Sequence, residues 1–210
     1  MSLELKMKVA QGMKRLYERD LVSSLGGNLS ARTDDGRVFI TPSGSPKWEL
    51  TEEDIVEVDL NGSVLSGKLK PSSELPSHLL IYRERTDVFA VAHAHPPHAV
   101  ALATAGFLKE PPHVTPEEVL YLRRLSVLEF APPGIKTAQA ISSAVHSSDV
   151  IVVKNHGAFS MGKSIEEAIA RIEILEEASK IIFMQLLLGR LPMRIPDNLV
   201  EEILETYKKT

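Results

Sequence analysis

Two apolar stretches that each run directly into histidine constrain the fold of this chain more than any other feature. The first spans residues 88–98, VFAVAHAHPPH, where an apolar run reaches His93 and His95 and then stops at two prolines. Side chains two residues apart on a strand point to the same face, so both imidazoles share one side. The second spans residues 149–157, DVIVVKNHG, and reaches His156. Both runs are typical of buried strands, and we expect a sheet whose strand ends present these three histidines.

Extended and helical patterns alternate along the rest of the chain, without an internal repeat, a low-complexity segment or a clear linker. This interleaving predicts a single α/β domain over residues 1–210, with three layers (α/β/α) and a central mixed or antiparallel sheet. Residues 26–30, GGNLS, are interpreted as a turn. The expected strands lie at residues 38–41, 55–59, 63–65, 88–94, 127–131 and 149–153. The expected helices lie at residues 3–20, 74–85, 97–105, 137–145, 165–188 and 197–207, with further starts after Thr51 and Thr115.

Composition excludes several classes of protein. The chain has no cysteine, so a disulfide, a thiolate nucleophile and a cysteine-ligated zinc site are all ruled out. Its net charge of -4 gives no electrostatic reason to bind nucleic acid. The N-terminus lacks the apolar core of a signal peptide, and no apolar run is long enough to span a bilayer. We therefore expect a soluble cytoplasmic protein with no nucleic-acid and no membrane partner.

Three histidines at strand ends indicate a metal site. The pair His93 and His95 alone could equally be two ordinary loop histidines, but His156 at a second strand end favours metal binding. Three imidazoles with one open position are typical of a catalytic zinc site, and manganese or cobalt would also suit these ligands. His78 and His98 fall in predicted helices, where we expect packing roles or contacts behind the site.

Glu74 and three donor-rich turns are the other candidates. Glu74 could be a general base or share the metal, or it could simply favour the dipole of the helix that follows; the turn alone favours the second interpretation. The turns are residues 26–28, 43–44 and 72–73, and the last lies at a predicted helix N-terminus, where backbone N–H groups favour a phosphate. None matches a Walker A loop or a dinucleotide-binding fingerprint, and Asn28 and Ser43 could also be local turn residues.

Taken together and in this order, five segments resemble the successive signatures of the class II aldolase/adducin family. The resemblance covers about residues 5–190 and is closest to the L-fuculose-1-phosphate aldolase branch. Each segment is weak by itself, whereas the ordered combination is specific. The segments are GGNLS, ITPSG, KPSSELPSH, HAHPPHAVALA and VVKNHGAF.

The resemblance implies a role for each candidate residue. Glu74 would be a fourth metal ligand at rest, beside His93, His95 and His156, and the acid/base during turnover. It also implies a homotetramer with active sites near the subunit interfaces. The phosphate of the substrate would be bound by Gly27, Asn28, Ser43, Gly44, Ser72 and Ser73.

The implied reaction is a zinc-dependent retro-aldol cleavage of a ketose 1-phosphate. L-Fuculose 1-phosphate would give dihydroxyacetone phosphate and lactaldehyde, with the metal holding the negative charge that builds up as the C3–C4 bond breaks. Glu74 would move the proton at the carbon of the nascent dihydroxyacetone phosphate. No lysine Schiff base is needed, so Lys47 and Lys154 are not expected to be catalytic.

One role in the implied mechanism has no clear match. In the fuculose branch, an aromatic residue from a neighbouring subunit, located after the HxHP helix, helps to protonate the aldehyde oxygen. The corresponding region here, residues 110–115, contains His113, and Tyr121 follows later. A second family tyrosine lies near the C-terminus, where this chain has Tyr207. All three residues are candidates for the proton donor.

Other branches of the family are the alternatives. Methylthioribulose-1-phosphate dehydratases share the metal site and carry a glutamate, whereas ribulose-5-phosphate 4-epimerases carry an aspartate at the position of Glu74. Rhamnulose-1-phosphate aldolases are usually longer. The adducin branch uses the fold for binding without catalysis, and such a module would not need the three histidines and Glu74 together. We therefore expect an aldolase.

Overall fold

A computed structural model describes residues 2–207, and its centre is one eight-stranded sheet. The strands follow the order β4-β3-β2-β1-β5-β8-β7-β6 across the sheet. They span Asn28–Arg32 (β1), Val38–Ile40 (β2), Val56–Val58 (β3), Val64–Ser66 (β4), Ala90–Ala94 (β5), Leu125–Leu128 (β6), Val150–Val153 (β7) and Gly157–Gly162 (β8). The helices span Ser2–Glu18 (α1), Leu75–Glu84 (α2), Pro97–Thr104 (α3), Pro116–Tyr121 (α4), Ile135–Ile141 (α5), Ile165–Leu187 (α6) and Asp197–Tyr207 (α7).

The sheet is mixed, as the sequence predicts. Every neighbouring pair is antiparallel except β6 and β7, which run parallel. Parallel neighbours need a crossover connection, and α5 lies in the chain between these two strands. The expected helix at Thr51 is a single short 3-10 turn, Glu52–Asp54.

Successive side chains along the central strands point alternately into two hydrophobic cores, one on each face of the sheet, which confirms the three layers. On β5, Ala92 and Ala94 join a core with residues of α1, α3 and α6, whereas Val91 joins a core with residues of α2. On β7, Val152 joins the first of these cores and Ile151 joins the second. Successive strand side chains point to opposite faces, so an apolar run is buried on both sides only when helices cover both.

Two strands of the sheet were not expected from the sequence. The prediction of a turn at residues 26–30 was wrong from Asn28 onward, because β1 lies in the sheet between β2 and β5. The strand β8 was missed because its sequence, GAFSMG, is poor in β-branched residues. A Cβ added at Gly157 would lie only 2.5 Å from the carbonyl oxygen of Ala94, so close approach to β5 explains this glycine.

Two further elements have bounds that differ from the prediction. β6 begins two residues and ends three residues before the predicted strand. α5 begins two residues and ends four residues before the predicted helix. Thr115 and Ser164 are the N-caps of α4 and α6: the side chain of Thr115 accepts a hydrogen bond from the N–H of Glu118, and that of Ser164 accepts one from the N–H of Glu167. Within residues 2–207, no helix combines the length and apolar character needed to cross a bilayer.

Candidate active site

Strand register brings the three strand-end histidines together. His93 on β5 is the cross-strand partner of Asn28 on β1 and of Phe159 on β8. His156 closes the tight connection from β7 to β8, and His95 lies one residue beyond the end of β5. The chain thus delivers the imidazoles to one end of the central strands, as the sequence predicts. The ring of His93 stacks on Phe159 with the centroids 4.1 Å apart.

The three imidazoles have the spacing of a metal site. One ring nitrogen from each of His93, His95 and His156 lies within 4.8 Å of the others. The Nε2 atoms of His93 and His95 are 3.2 Å apart, close to the spacing of about 3.3 Å that two nitrogens have around tetrahedral zinc. The Nδ1–H of His93 donates to the carbonyl oxygen of Ala158 at 3.1 Å, which leaves Nε2 as the nitrogen for a metal.

The surroundings keep these imidazoles in the form that binds metal. Burial lowers the pKa of His95 to about 4 and lowers the pKa of His93 well below its usual value. Burial also lowers the pKa of His156, whose Nδ1 is buried. Neutral imidazoles present lone pairs, and a divalent cation is the group that three convergent lone pairs fit.

Backbone contacts hold the turn that carries His95. The N–H of His95 donates to the carbonyl oxygen of Leu21 at 2.7 Å. Just beyond, the buried carboxylate of Glu176 on α6 accepts hydrogen bonds from the N–H groups of His98 and Ala99 and from the ring of His98. His98 therefore anchors the start of α3 behind the turn that carries His95, which agrees with the expectation from its helical position.

Glu74 lies beside the histidines but is held by other donors. Its side chain is 3 % exposed, and burial raises the pKa of its carboxyl group. Oε1 accepts the N–H of Gly134 at 2.8 Å and lies 3.8 Å from Nε2 of His156, whereas Oε2 accepts the hydroxyl of Ser77 at 3.0 Å. The carboxylate thus faces the site rather than serving only the dipole of α2. Its role as a fourth ligand stays a prediction, because the clustered nitrogens belong to the histidines alone.

Hydrogen bonds between loops bring the predicted phosphate-binding turns together. The N–H of Ser43 donates to the carbonyl oxygen of Lys70 at 2.9 Å, and the N–H of Ser72 donates to that of Thr41 at 3.2 Å. These two turns share a cavity of about 280 Å³ with the glycine turn, Glu74 and the three histidines. Five of the six predicted phosphate ligands line it: Gly27, Asn28, Ser43, Ser72 and Ser73. Gly44 follows Ser43 with φ +70°, a conformation that suits glycine, and is not among the lining residues.

A buried chain of hydrogen bonds fixes the side chain of Asn28. Nε2 of His78 lies 2.5 Å from Oδ1 of Asn28, and its Nδ1 lies 2.6 Å from Oγ of Ser30, which is 2.7 Å from the hydroxyl of Tyr82. An amide oxygen only accepts, so His78 carries its proton on Nε2 and accepts from Ser30 at Nδ1. Burial lowers the pKa of His78 to about 3, which keeps the ring neutral. The amide nitrogen of Asn28 is then left to face the cavity as a donor.

The three candidate proton donors lie elsewhere in the chain. Among the described residues, His113, Tyr121 and Tyr207 are all absent from the cavity wall. His113 has φ +52°, and its Nδ1 lies 3.3 Å from a guanidinium nitrogen of Arg194. Tyr121 and Tyr207 are 45 % and 58 % exposed on α4 and α7. None of the three reaches the histidines of its own chain, so their role stays a prediction that requires a second subunit.

Sequence reasoning missed several residues of the cavity wall. Phe130 and Pro133 come from the loop after β6, which the sequence indicates only as the end of a strand. Gly134, the donor to Glu74, has φ +92°, so a glycine before a helix was the available signal. Lys47, set aside in the sequence analysis, is 1 % exposed and also lines the cavity. Burial of a lysine within a polar loop segment has no local sequence signal.

Comparison with protein families agrees with the geometry. Residues 7–183 match the family described as "Class II Aldolase and Adducin N-terminal domain". A protein of Methanocaldococcus jannaschii named "L-fuculose phosphate aldolase" is 38 % identical over 178 residues, which cover 84 % of this chain and 94 % of the relative. A solved structure titled "L-fuculose 1-phosphate aldolase" is 32 % identical and superimposes with a TM-score of 0.86, covering 98 % of this chain and 96 % of the other.

Relatives with other names are similar over comparable lengths. The "5-deoxy-D-ribulose 1-phosphate aldolase" of Bacillus thuringiensis is 30 % identical over 212 residues, covering 95 % of this chain and 93 % of the relative. The "3-oxo-tetronate 4-phosphate decarboxylase" of Haemophilus influenzae is 32 % identical over 176 residues, covering 81 % and 82 %. All these names specify a phosphorylated sugar or sugar acid, and they differ in the bond that is cleaved.

Proposed function

The chain belongs to the class II aldolase and adducin family, and on that premise we propose that it is a metal-dependent aldolase acting on a ketose 1-phosphate. The proposed substrate is L-fuculose 1-phosphate, and the products are dihydroxyacetone phosphate and lactaldehyde. One observation supports this most directly. Three convergent histidines, a buried carboxylate and the three donor turns line the same cavity. A non-catalytic binding module would not need that combination.

His93, His95 and His156 would hold the metal, for which we propose Zn²⁺, with Mn²⁺ or Co²⁺ as alternatives. A divalent ion bound there supplies Lewis-acid stabilisation of negative charge on substrate oxygens. The lining residues of the donor turns would bind the phosphate and set the distance between the phosphate and the reacting carbons. Glu74 would also be within reach of the metal as a fourth ligand when substrate is absent.

Glu74 is suited to carry the proton in this reaction. In a retro-aldol cleavage the C4 hydroxyl loses its proton, the C3–C4 bond breaks, and its electron pair passes to C3, which must then be protonated. We assign that last protonation to Glu74, because burial raises its pKa towards the pH at which a carboxyl group can both accept and donate. Gly134 and Ser77 hold both carboxylate oxygens and thus orient the group.

A further group must take the proton from the C4 hydroxyl during cleavage. We propose that a neighbouring copy of the chain supplies this group. Because His113, Tyr121 and Tyr207 lie away from the cavity of their own chain, an oligomer with sites at its interfaces would supply one of them. A homotetramer is the assembly we propose. A cytoplasmic location stays an expectation from the sequence.

A panel of phosphorylated substrates tests the proposed function. The Zn²⁺-loaded protein would be incubated with L-fuculose 1-phosphate, L-rhamnulose 1-phosphate, 5-deoxy-D-ribulose 1-phosphate and methylthioribulose 1-phosphate, and dihydroxyacetone phosphate would be measured. We expect its release to be fastest from L-fuculose 1-phosphate and to stop after chelation of the metal. Loss of water from methylthioribulose 1-phosphate alone would instead identify a dehydratase.

Decarboxylation is the second candidate reaction, favoured by the Haemophilus influenzae relative. Loss of carbon dioxide from a 3-oxo acid also leaves an electron pair on the carbon beside a carbonyl group, so the same residues could serve it. Incubation with 3-oxo-tetronate 4-phosphate and detection of carbon dioxide distinguishes the two. Carbon dioxide release without any cleavage of ketose 1-phosphates would overturn the aldolase proposal.

A further inference from the structure

Lys47 is a buried lysine on the wall of the active-site cavity. Its exposed fraction is 1 %, and none of the carboxylates in residues 2–207 forms an ion pair with it. Its Nζ donates to the carbonyl oxygen of Pro42 at 3.3 Å. Burial without a counter-charge lowers its pKa. A buried ammonium in this position is unfavourable unless an anion joins it.

Lys47 lies where the three donor turns meet. Its backbone N–H donates to the carbonyl oxygen of Ser24 at 3.0 Å, two residues before the glycine turn begins. The carbonyl that its Nζ contacts belongs to Pro42, the residue directly before Ser43 in the second turn. The segment with the second turn is hydrogen-bonded to the segment with the third turn, because the N–H of Ser72 donates to the carbonyl oxygen of Thr41. The ammonium group is therefore held at the residue before the second turn, and Lys47 lines the same cavity as residues of all three turns.

The predicted phosphate-binding turns contain no cationic side chain of their own. A phosphate monoester carries about -1.5 to -2 charges at pH 7, whereas the six predicted phosphate ligands supply only neutral N–H and O–H donors. The acid on the same wall, Glu74, repels an anion when it is ionised. We propose that Lys47 binds the phosphate group of the substrate and supplies the positive charge that the donor turns lack. The inference rests on the proposed function in assuming a phosphorylated substrate.

A purely structural role makes the opposite prediction for stability. If Lys47 served only to satisfy the carbonyl of Pro42, K47M would unfold more readily and K47Q, which keeps a neutral donor, would behave like the parent. If Lys47 serves an anion, K47M should be at least as stable as the parent in the absence of ligand, because a buried unpaired charge is removed.

Binding of dihydroxyacetone phosphate tests the proposal without turnover. Zn²⁺-loaded parent, K47Q, K47M and K68Q proteins would be titrated by calorimetry with dihydroxyacetone phosphate and, as the ligand without a phosphate, with dihydroxyacetone. We expect K47Q and K47M to bind dihydroxyacetone phosphate about 10- to 100-fold more weakly, as for the loss of a charge-assisted hydrogen bond. Lys68 is exposed, so K68Q removes the same charge elsewhere and should bind like the parent.

Thermal denaturation supplies the second readout. Dihydroxyacetone phosphate should raise the melting temperature of the parent and K68Q, and should raise that of K47Q and K47M much less. Parent-like affinity in K47Q, or a parent that binds dihydroxyacetone and its phosphate equally well, would overturn the proposal. Because these measurements need no cleavage, a protein inactive on every ketose 1-phosphate but with phosphate affinity that depends on Lys47 would refute the proposed function and leave this inference standing.

Discussion

Glu74 shows how a single residue acquires two possible roles from its surroundings. Burial raises its pKa, while the N–H of Gly134 and the hydroxyl of Ser77 stabilise the ionised form. A carboxyl group whose pKa is raised by burial is a better proton donor than an exposed helix-terminal glutamate. These surroundings agree with the proton transfer that we propose for Glu74, whether or not it also binds the metal.

The variant E74Q separates proton transfer from folding. Glutamine has nearly the same shape: its amide oxygen can accept the N–H of Gly134, and its amide nitrogen can donate to the hydroxyl oxygen of Ser77. The melting temperature should therefore stay near that of the parent. We expect kcat to fall by about 10²–10⁴-fold, the range for loss of a general acid/base. Exchange of the C3 proton of dihydroxyacetone phosphate with deuterium, followed by NMR, should be lost in parallel. Near-normal exchange in E74Q would contradict the assignment.

His95 is the histidine whose removal tests the metal site most directly. The variant H95A leaves His93 and His156 as two imidazoles, too few for a stable three-ligand site. Elemental analysis after dialysis should show about one Zn²⁺ per parent chain and far less than one in H95A. H146A is the matched control, because His146 is exposed and pairs with Glu84. Full zinc content in H95A would show that His95 is not a ligand.

At the scale of elements, β1 and α2 cooperate to orient one amide. Ser30 and Asn28 lie two residues apart on β1 and so share a face, while His78 and Tyr82 lie four residues apart on α2 and so share a side. Their hydrogen-bonded chain leaves each group with one compatible orientation. The strand that the sequence presents as a turn is therefore the support of a predicted phosphate ligand.

Two variants in this chain should change substrate binding without touching the cavity. S30A removes the donor to His78, so the tautomer that holds Asn28 is no longer enforced, and we expect KM for the phosphorylated substrate to rise about 3- to 10-fold with kcat nearly unchanged. Y82F removes only the far end of the chain and should have a smaller effect. Steady-state kinetics measure both. Equal falls in kcat with unchanged KM would instead indicate a general loss of packing.

At the scale of the whole molecule, the chain leaves a large apolar surface around the end of α6. Leu187, Leu188, Leu191 and Met193 are 72 %, 78 %, 83 % and 79 % exposed. Several exposed large apolar side chains within a short segment are typical of contacts between subunits. It agrees with the proposed homotetramer, in which a neighbouring chain supplies the proton donor to each cavity.

Mixed oligomers test whether the donor comes from another chain. The single variants H113A, Y121F and Y207F would be prepared first. We expect one of them, the donor variant, to have strongly reduced activity and unchanged zinc content. Unfolding and refolding that variant together with E74Q should restore about a quarter of parental activity or less, because a cavity with Glu74 can then face an intact donor. The same mixture without refolding is the control. If no mixture recovers activity, the donor belongs to the same chain as Glu74.

The sequence alone determined the layers, the mixed sheet and the strand-end histidines, because side-chain periodicity and apolar runs are local properties that survive without knowledge of contacts. Ordered motifs that resemble one family also predicted Glu74 and the donor residues, and Glu74 and five of the six donors line one cavity. The tertiary structure decided the rest. The strands β1 and β8, the orientation of Glu74 towards Gly134, the amide held by His78 and the burial of Lys47 all depend on contacts between segments distant in the chain. Lys47 stands in a polar loop that looks exposed in the sequence, and only the convergence of three turns excludes water from its charge.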